Sequence, residues 1–107
     1  MDIIDFTPPE IVAQNAAQGL AWRERFGRGG TEIGVARARE LVSRRDLSPE
    51  TIRRMVSYFA RHEVDKRGKN FFNDENPSAG RIAWLLWGGD EGWQWAMGIK
   101  ERMGKSR

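Results

Sequence analysis

The spacing of apolar residues along the chain predicts helices and no strands. Over residues 11–20, apolar side chains recur every three or four positions, which is the period of a helix with one buried face. The same spacing returns over residues 33–42 and 52–59. No stretch alternates apolar and polar residues with the β-branched enrichment that is typical of a strand. The pattern therefore favours an all-α fold.

Capping and helix-breaking residues divide this pattern into five helices. The stretch Thr7-Pro8-Pro9-Glu10 indicates a first helix that starts at a threonine cap and ends near Phe26, because glycines follow. Residues 64–77, VDKRGKNFFNDENP, show no periodicity and predict a loop. A glycine pair at 88–89 stops the fourth helix, and the fifth runs to about Met103. The later helices have four candidate caps: Thr31, Ser48, Ser78 and Asp90.

Four of the five tryptophans lie within residues 80–95. Residues 82–87 are apolar at every position, so this short helix has no face for solvent and is expected at the centre of the fold. Trp84 and Trp87 lie on one side of it and should be buried, with their indole N–H groups hydrogen-bonded. Trp93 and Trp95 are about 200° apart around the next helix, so only one should point inward. Because no Lys or Arg stands between Trp84 and Trp95, we interpret the cluster as core and not as a base-stacking platform.

Length and composition are those of one globular domain. The chain has 107 residues, 39% of them hydrophobic, and no cysteine, which excludes disulfides and thiolate metal ligands. The longest apolar run has six residues, against about twenty needed to cross a bilayer, and the acidic start is unlike a secretion signal. We therefore expect a compact single α-helical domain over residues 1–107, a bundle of about five short helices with a Trp-rich core. Residues 1–6 and 104–107 should be frayed ends.

The net charge is only +3, but the basic residues are concentrated in the middle of the chain. Residues 23–69 carry thirteen Lys or Arg against seven acids. Such a stretch indicates a surface for nucleic acid or for an acidic protein partner, and it is equally typical of solvated, arginine-rich helix faces. The candidate contact residues are eight: Arg37, Arg39, Arg44, Arg45, Arg53, Arg54, Arg61 and Lys66.

Residues 38–54, ARELVSRRDLSPETIRR, also allow a more specific interpretation. Two short helices joined by a few residues, the second with basic side chains at its start, have the layout of a helix-turn-helix DNA-binding motif. Thr51, Arg53 and Arg54 would then face bases or phosphates. The turn lacks the usual glycine, and Glu50 stands where phosphates would approach. Sequence-specific DNA binding is therefore kept as an alternative.

Groups for catalysis are sparse. The only histidine is His62, and the chain has no HExxH motif, no cysteine nucleophile and no GxSxG elbow. The glycines of GRGGT at 27–31 lack the P-loop spacing and its lysine, so a tight turn is preferred over a nucleotide site. We expect a protein that is not an enzyme and needs no cofactor or metal. The alternative is a metal-dependent enzyme built on one histidine and four acids: His62, Glu63, Asp65, Asp74 and Glu75.

Three pieces of the sequence together resemble a small uncharacterised domain of tailed bacteriophages and prophages. They are SPE at 48–50 with Arg54-Met55, YFARHEVDK at 58–66, and PSAGRIAWLLWGGD at 77–90, and the likeness covers about residues 19–96. The chain departs from that domain at NDEN, residues 73–76, where a stretch with Gly and Tyr is expected. The domain occurs alone or joined to larger phage proteins, often among head-assembly genes.

The resemblance implies a phage or prophage source and an accessory or assembly role, but no activity. The protein would then act in the host cytoplasm or with the virion and would not be secreted. Its expected function is that of a non-enzymatic binding module whose arginine-rich helices contact nucleic acid or an acidic protein, such as a phage head-assembly protein. A homo-oligomer is a further alternative, and no membrane partner is expected.

Overall fold

The computed structural model describes residues 3–105, and it confirms the all-α compact bundle. No strand occurs within those residues. A 3-10 helix, Glu63–Arg67, follows the third α-helix directly. The five α-helices are α1 (Glu10–Phe26), α2 (Glu32–Ser43), α3 (Pro49–His62), α4 (Ala79–Leu86) and α5 (Gly89–Lys105).

Side-chain caps start three of these helices as predicted. Thr31, Ser48 and Ser78 each accept a hydrogen bond from the backbone N–H three residues further on. The predicted cap at Thr7 is wrong, because α1 begins only at Glu10. A residue before a proline is kept out of the helical region, so the Pro8-Pro9 pair delays the helix. The Thr7 hydroxyl instead donates to the carboxylate of Asp46 at 2.8 Å.

Helix α4 lies at the centre of the bundle, as its unbroken apolar sequence predicted. It packs against all four other α-helices, and α3 packs separately on α5. Gly19 lets α1 approach α4 closely, since a Cβ atom there would lie 2.7 Å from the backbone nitrogen of Leu86. Every α-helix contributes fully or nearly fully buried side chains to one core, among them Val12, Leu41, Phe59, Trp84 and Ile99.

The tryptophans form part of this core, as predicted. Trp84 is 2% exposed and Trp87 is 8% exposed. The edge of Trp84 meets Phe59 and Trp93, with ring centroids 4.8 and 5.6 Å apart. Trp93 therefore points inward, and Trp95 is also partly buried against the core while it lines a cavity at the surface.

The corner between α4 and α5 differs in one detail from the prediction. Helix α5 begins at Gly89, so Asp90 lies inside its first turn and does not cap it. The Asp90 carboxylate instead accepts hydrogen bonds from the Trp84 indole at 2.9 Å and from Lys66 at 2.8 Å. Burial raises the pKa of Asp90, but these two bonds together with the charges of Lys66 and Arg81 hold the pKa below its usual value. Gly88 and Gly89 have φ of +114° and +69°, so the turn itself requires glycine.

The predicted loop and frayed ends are more ordered than their sequences suggest. In the loop, Phe71 is buried and its carbonyl accepts from Arg81 at 2.7 Å. Near the start of the chain, Phe6 packs on the core and its carbonyl accepts from the backbone N–H of Leu47. At the other end, α5 continues to Lys105. Residues 1, 2, 106 and 107, also predicted to fray, lie outside the described part. No helix within residues 3–105 combines the length and apolar character needed to cross a membrane.

Candidate functional site

A groove of about 810 Å³ runs along α3 and is bordered on its other side by α4 and the start of α2. Its floor is largely apolar and includes Tyr58, Ala83 and Trp87. Ile33, which is 64% exposed, adds an apolar side chain at the edge. The groove is therefore an open channel in which apolar surface is accessible to a partner.

Stacked rings form part of the floor. The ring of Tyr58 lies between Trp87 and His62, with both centroid distances 4.5 Å and interplanar angles of 6° and 26°. The Tyr58 hydroxyl is buried and has no hydrogen-bond partner among the described residues. Burial raises the pKa of Tyr58, and the nearby Asp65 carboxylate raises it further, so the hydroxyl stays protonated. The floor is consequently uncharged.

Three arginines of α3 line the same groove. Arg53 and Arg61 are eight residues apart, with Ser57 midway, so they lie on one face of the helix. Arg54 stands beside them and pairs with Glu50 at 2.7 Å, where both side chains are exposed. Neither Arg53 nor Arg61 forms an ion pair with another described residue. Two guanidinium groups that have no ion pair within residues 3–105, called unpaired below, therefore stand next to the apolar floor.

Carboxylates also line the groove, at opposite ends of its α3 side. Glu50 lies in the first turn of α3, and Asp65 lies in the 3-10 helix that follows it. The carboxylate of Asp65 is 3.4 Å from Nδ1 of His62. Negative charge in a partner would thus be attracted to the middle of the groove and opposed at its ends.

Of the eight predicted contact residues, only Arg53, Arg54 and Arg61 line the groove. Arg37 needs a correction, because it is only 7% exposed and does not line the groove. Its guanidinium lies 5.2 Å from the centre of the Trp87 ring and pairs with Glu40. Trp87 comes from a segment fifty residues further along the chain, so the local pattern around Arg37 could not show that it would be covered.

The other four predicted residues lie elsewhere. Lys66 is held by Asp90 and lies 4.9 Å above the Trp84 ring. Arg44 donates to the carbonyl of Pro8 and lines a separate cavity. Arg39 and Arg45 are exposed but do not line the groove. The eight residues therefore do not form a single basic surface.

Sequence reasoning missed the apolar half of the site. Tyr58 and Ile33 were assigned to no site, and Trp87 was assigned only to the core. One signal was available: Tyr58 and His62 are four residues apart and so lie on the same face of α3 as the arginines at 54 and 61. The approach of α4 to that face is a tertiary contact that no local pattern predicts.

The helix-turn-helix interpretation does not fit the structure. In that motif the two helices pack against each other, but no Cα atom of α2 lies within 8 Å of a Cα atom of α3. Thr51, which would face bases, is buried, and its hydroxyl contacts that of Ser48 at 3.0 Å.

The acids of the metal hypothesis are dispersed. His62 and Asp65 contact each other, whereas Asp74 pairs with Arg81 at 3.3 Å in the loop before α4. Across residues 3–105, no three His, Asp or Glu side chains gather as a metal ion would require.

Comparison of the chain with known protein families, with curated proteins and with solved structures found no match in any of the three. No function of another protein is therefore carried over to the groove.

Proposed function

We propose that the protein is a non-enzymatic binding module whose groove holds a segment of a partner protein that carries both apolar and acidic side chains. The observation behind this proposal is the apolar floor of Tyr58, Ala83 and Trp87 beside the unpaired Arg53 and Arg61. A phage or prophage accessory or assembly role, which the sequence resemblance implies, would be one setting for such a module.

Charge distribution favours a protein partner over nucleic acid. Affinity for nucleic acid comes mainly from basic residues that follow the phosphate backbone. Here Arg37 is buried and Lys66 is held by Asp90, so the basic residues do not form a continuous track. Glu50 and Asp65 would also repel phosphates at the groove ends. The carboxylates of a short protein segment can be bound by the two or three arginines that line the groove. Arginine binds a carboxylate through paired hydrogen bonds.

The size of the groove suits a short segment. Its α3 side extends from Glu50 to Arg61, which is about 17 Å at about 1.5 Å per residue. That length matches about three turns of a partner helix, or about five residues of extended chain at about 3.3 Å each. Either could place apolar side chains on the floor and acids against the arginines.

Fluorescence anisotropy tests the proposal with three kinds of probe: fluorescein-labelled peptides that combine Leu or Phe with Glu at helical or strand spacing, duplex DNA and single-stranded DNA. The groove variant is Arg53→Glu with Arg61→Glu. Its matched control is Arg39→Glu with Arg45→Glu, which changes the net charge equally on exposed residues outside the groove. Circular dichroism should show that both variants are folded.

We expect an acidic peptide to bind the wild type and the control, and to lose at least tenfold in affinity for the groove variant. Replacing Glu by Lys in the peptide should also abolish binding. If none of the peptides binds, or if the two variants weaken binding equally, the proposal is wrong. Binding of DNA alone, lost in the groove variant only and falling steeply with salt, would replace the protein partner with nucleic acid.

A further inference from the structure

The loop between the 3-10 helix and α4 presents an aromatic ring to solvent. Phe72 is 73% exposed, whereas the preceding Phe71 is 2% exposed and belongs to the core. Asp74 and Glu75, both exposed, follow within three residues. The segment Phe72–Glu75, named here the acidic loop, therefore joins an apolar ring to two carboxylates.

Several hydrogen bonds order this loop. The side-chain oxygen of Asn73 accepts from the backbone N–H groups of Glu75 and Asn76, at 3.0 and 3.2 Å. Arg28 reaches the loop from the end of α1 and donates to the side chain of Asn76 at 2.6 Å. The backbone N–H of Ser78 donates to the carbonyl of Asn70 at 3.2 Å. Since the loop is already ordered, a partner would not have to restrain it on binding, which lowers the entropic cost of association.

The acidic loop and the groove are complementary in chemistry. The loop offers one ring and two acids, and the groove offers an apolar floor and the unpaired Arg53 and Arg61. Glu75 forms no ion pair with another described residue, and Asp74 pairs with Arg81 while its side chain stays 71% exposed. No residue of the loop lines the groove. Both surfaces are therefore accessible at once on a single copy of the chain.

We propose that the groove of one copy receives the acidic loop of a second copy. This inference rests on the proposed function, since it names the partner segment as part of the same protein. Phe72 would lie on the floor near Tyr58 and Trp87, and Glu75 would lie near the arginines of α3. The groove and the loop are different surfaces of one copy, so two copies joined by a single contact leave one groove and one loop free and can add further copies into a ring or a filament. A two-fold pair in which each loop fills the other copy's groove would instead close at two copies.

Sedimentation velocity over a range of protein concentrations tests this proposal with two variants. The loop variant is Phe72→Ser, and the groove variant is Arg53→Glu with Arg61→Glu. We expect the wild-type sedimentation coefficient to rise with concentration and each variant alone to remain monomeric. Mixed in equal amounts, the variants should form a dimer and nothing larger, because the loop variant keeps its groove and the groove variant keeps its loop.

Matched substitutions control for loss of apolar surface and for charge. Met97→Ser removes another exposed apolar side chain, on α5, and Arg39→Glu with Arg45→Glu changes the charge equally outside the groove. Both should associate as the wild type does, and circular dichroism should show that every variant is folded.

Three results would overturn the inference: a wild type that stays monomeric at the highest soluble concentration, association that persists in both variants, or a mixture that forms no dimer. The proposed function fails separately. If acidic peptides bind the groove while the mixed variants form no dimer, the groove serves another protein and only the second-copy partner is wrong.

Discussion

The side chain of Tyr58 packs in the core and also lines the groove. Ionisation of its hydroxyl should change the free energy of unfolding. Its pKa is raised in the folded state, mainly by burial. The tyrosine of the unfolded chain ionises near pH 10. Below that pH the hydroxyl is protonated in both the folded and the unfolded state, so the contribution of Tyr58 to the free energy of unfolding has its full value. It is lost as the pH rises from there towards the folded-state pKa.

The prediction is that the wild type loses more stability than Tyr58→Phe between about pH 8 and about pH 11, as measured by urea unfolding. At neutral pH Tyr58→Phe should be at least as stable as the wild type, because a buried hydroxyl without a hydrogen-bond partner carries a desolvation cost that phenylalanine lacks. Tyr58 is the only tyrosine in the chain, so tyrosinate absorbance reports on it alone. Ionisation of the folded protein near pH 10 would contradict the prediction.

Trp84 is the largest fully buried side chain among the described residues. It contacts aromatic rings from α3, α5 and the loop, and its indole donates to Asp90. We expect Trp84→Ala to lower the free energy of unfolding by about 3 to 5 kcal/mol, because it leaves a large cavity. Trp84→Phe keeps a ring and should cost less. Guanidinium unfolding measures both, and a Trp84→Ala variant with wild-type stability would show that the core is not organised around this ring.

At the scale of helices, the contact between α1 and α4 depends on a glycine. A Cβ atom at Gly19 would lie 2.7 Å from the nitrogen of Leu86 and 3.0 Å from the carbonyl carbon of Leu85, and backbone atoms cannot move aside as a flexible side chain can. Gly19→Ala should therefore destabilise the fold by about 1 to 3 kcal/mol or more, as overpacking does.

The same substitution on α5 is the control, with the opposite sign. Gly98 is exposed within the helix, and a Cβ atom there meets nothing within 4 Å. Gly98→Ala should stabilise the protein by about 0.5 to 1 kcal/mol, because alanine loses less conformational entropy on entering a helix. Thermal and urea unfolding of the two variants check the pair. Equal effects on both would mean that the close approach of α1 and α4 is absent in solution.

Helix positions were predictable from sequence because their signals are local. Thr31, Ser48 and Ser78 bond to a backbone N–H three residues away, and the sequence contains both partners. Thr7 failed as a cap because its hydroxyl bonds to Asp46, thirty-nine residues away. The groove was not predictable for the same reason, since α3 and α4 form it from segments separated by the loop. The arginines of α3 were identified by charge, but the apolar floor beside them depends on tertiary packing.

At the scale of the whole molecule, the groove and the core share residues. Tyr58 and Trp87 are more than 90% buried and line the groove as well. The floor is therefore as stable as the fold beneath it and cannot unfold alone. A partner that binds only the folded groove would stabilise the whole chain by mass action.

Because one core joins all five helices, the chain should unfold as a single cooperative unit, as expected of a single domain. The prediction is that tryptophan fluorescence and far-ultraviolet circular dichroism give the same urea midpoint and the same slope. Fluorescence reports on α1 through Trp22 and on α4, α5 and the corner between them through the other four tryptophans, whereas circular dichroism reports on every helix. The Trp84→Ala substitution should shift both urea unfolding curves by the same amount, because Trp84 lies in the core that all five helices share. Separate midpoints, with helical signal lost before tryptophan signal, would mean that α2 or part of α1 unfolds independently and that the chain is not one cooperative domain.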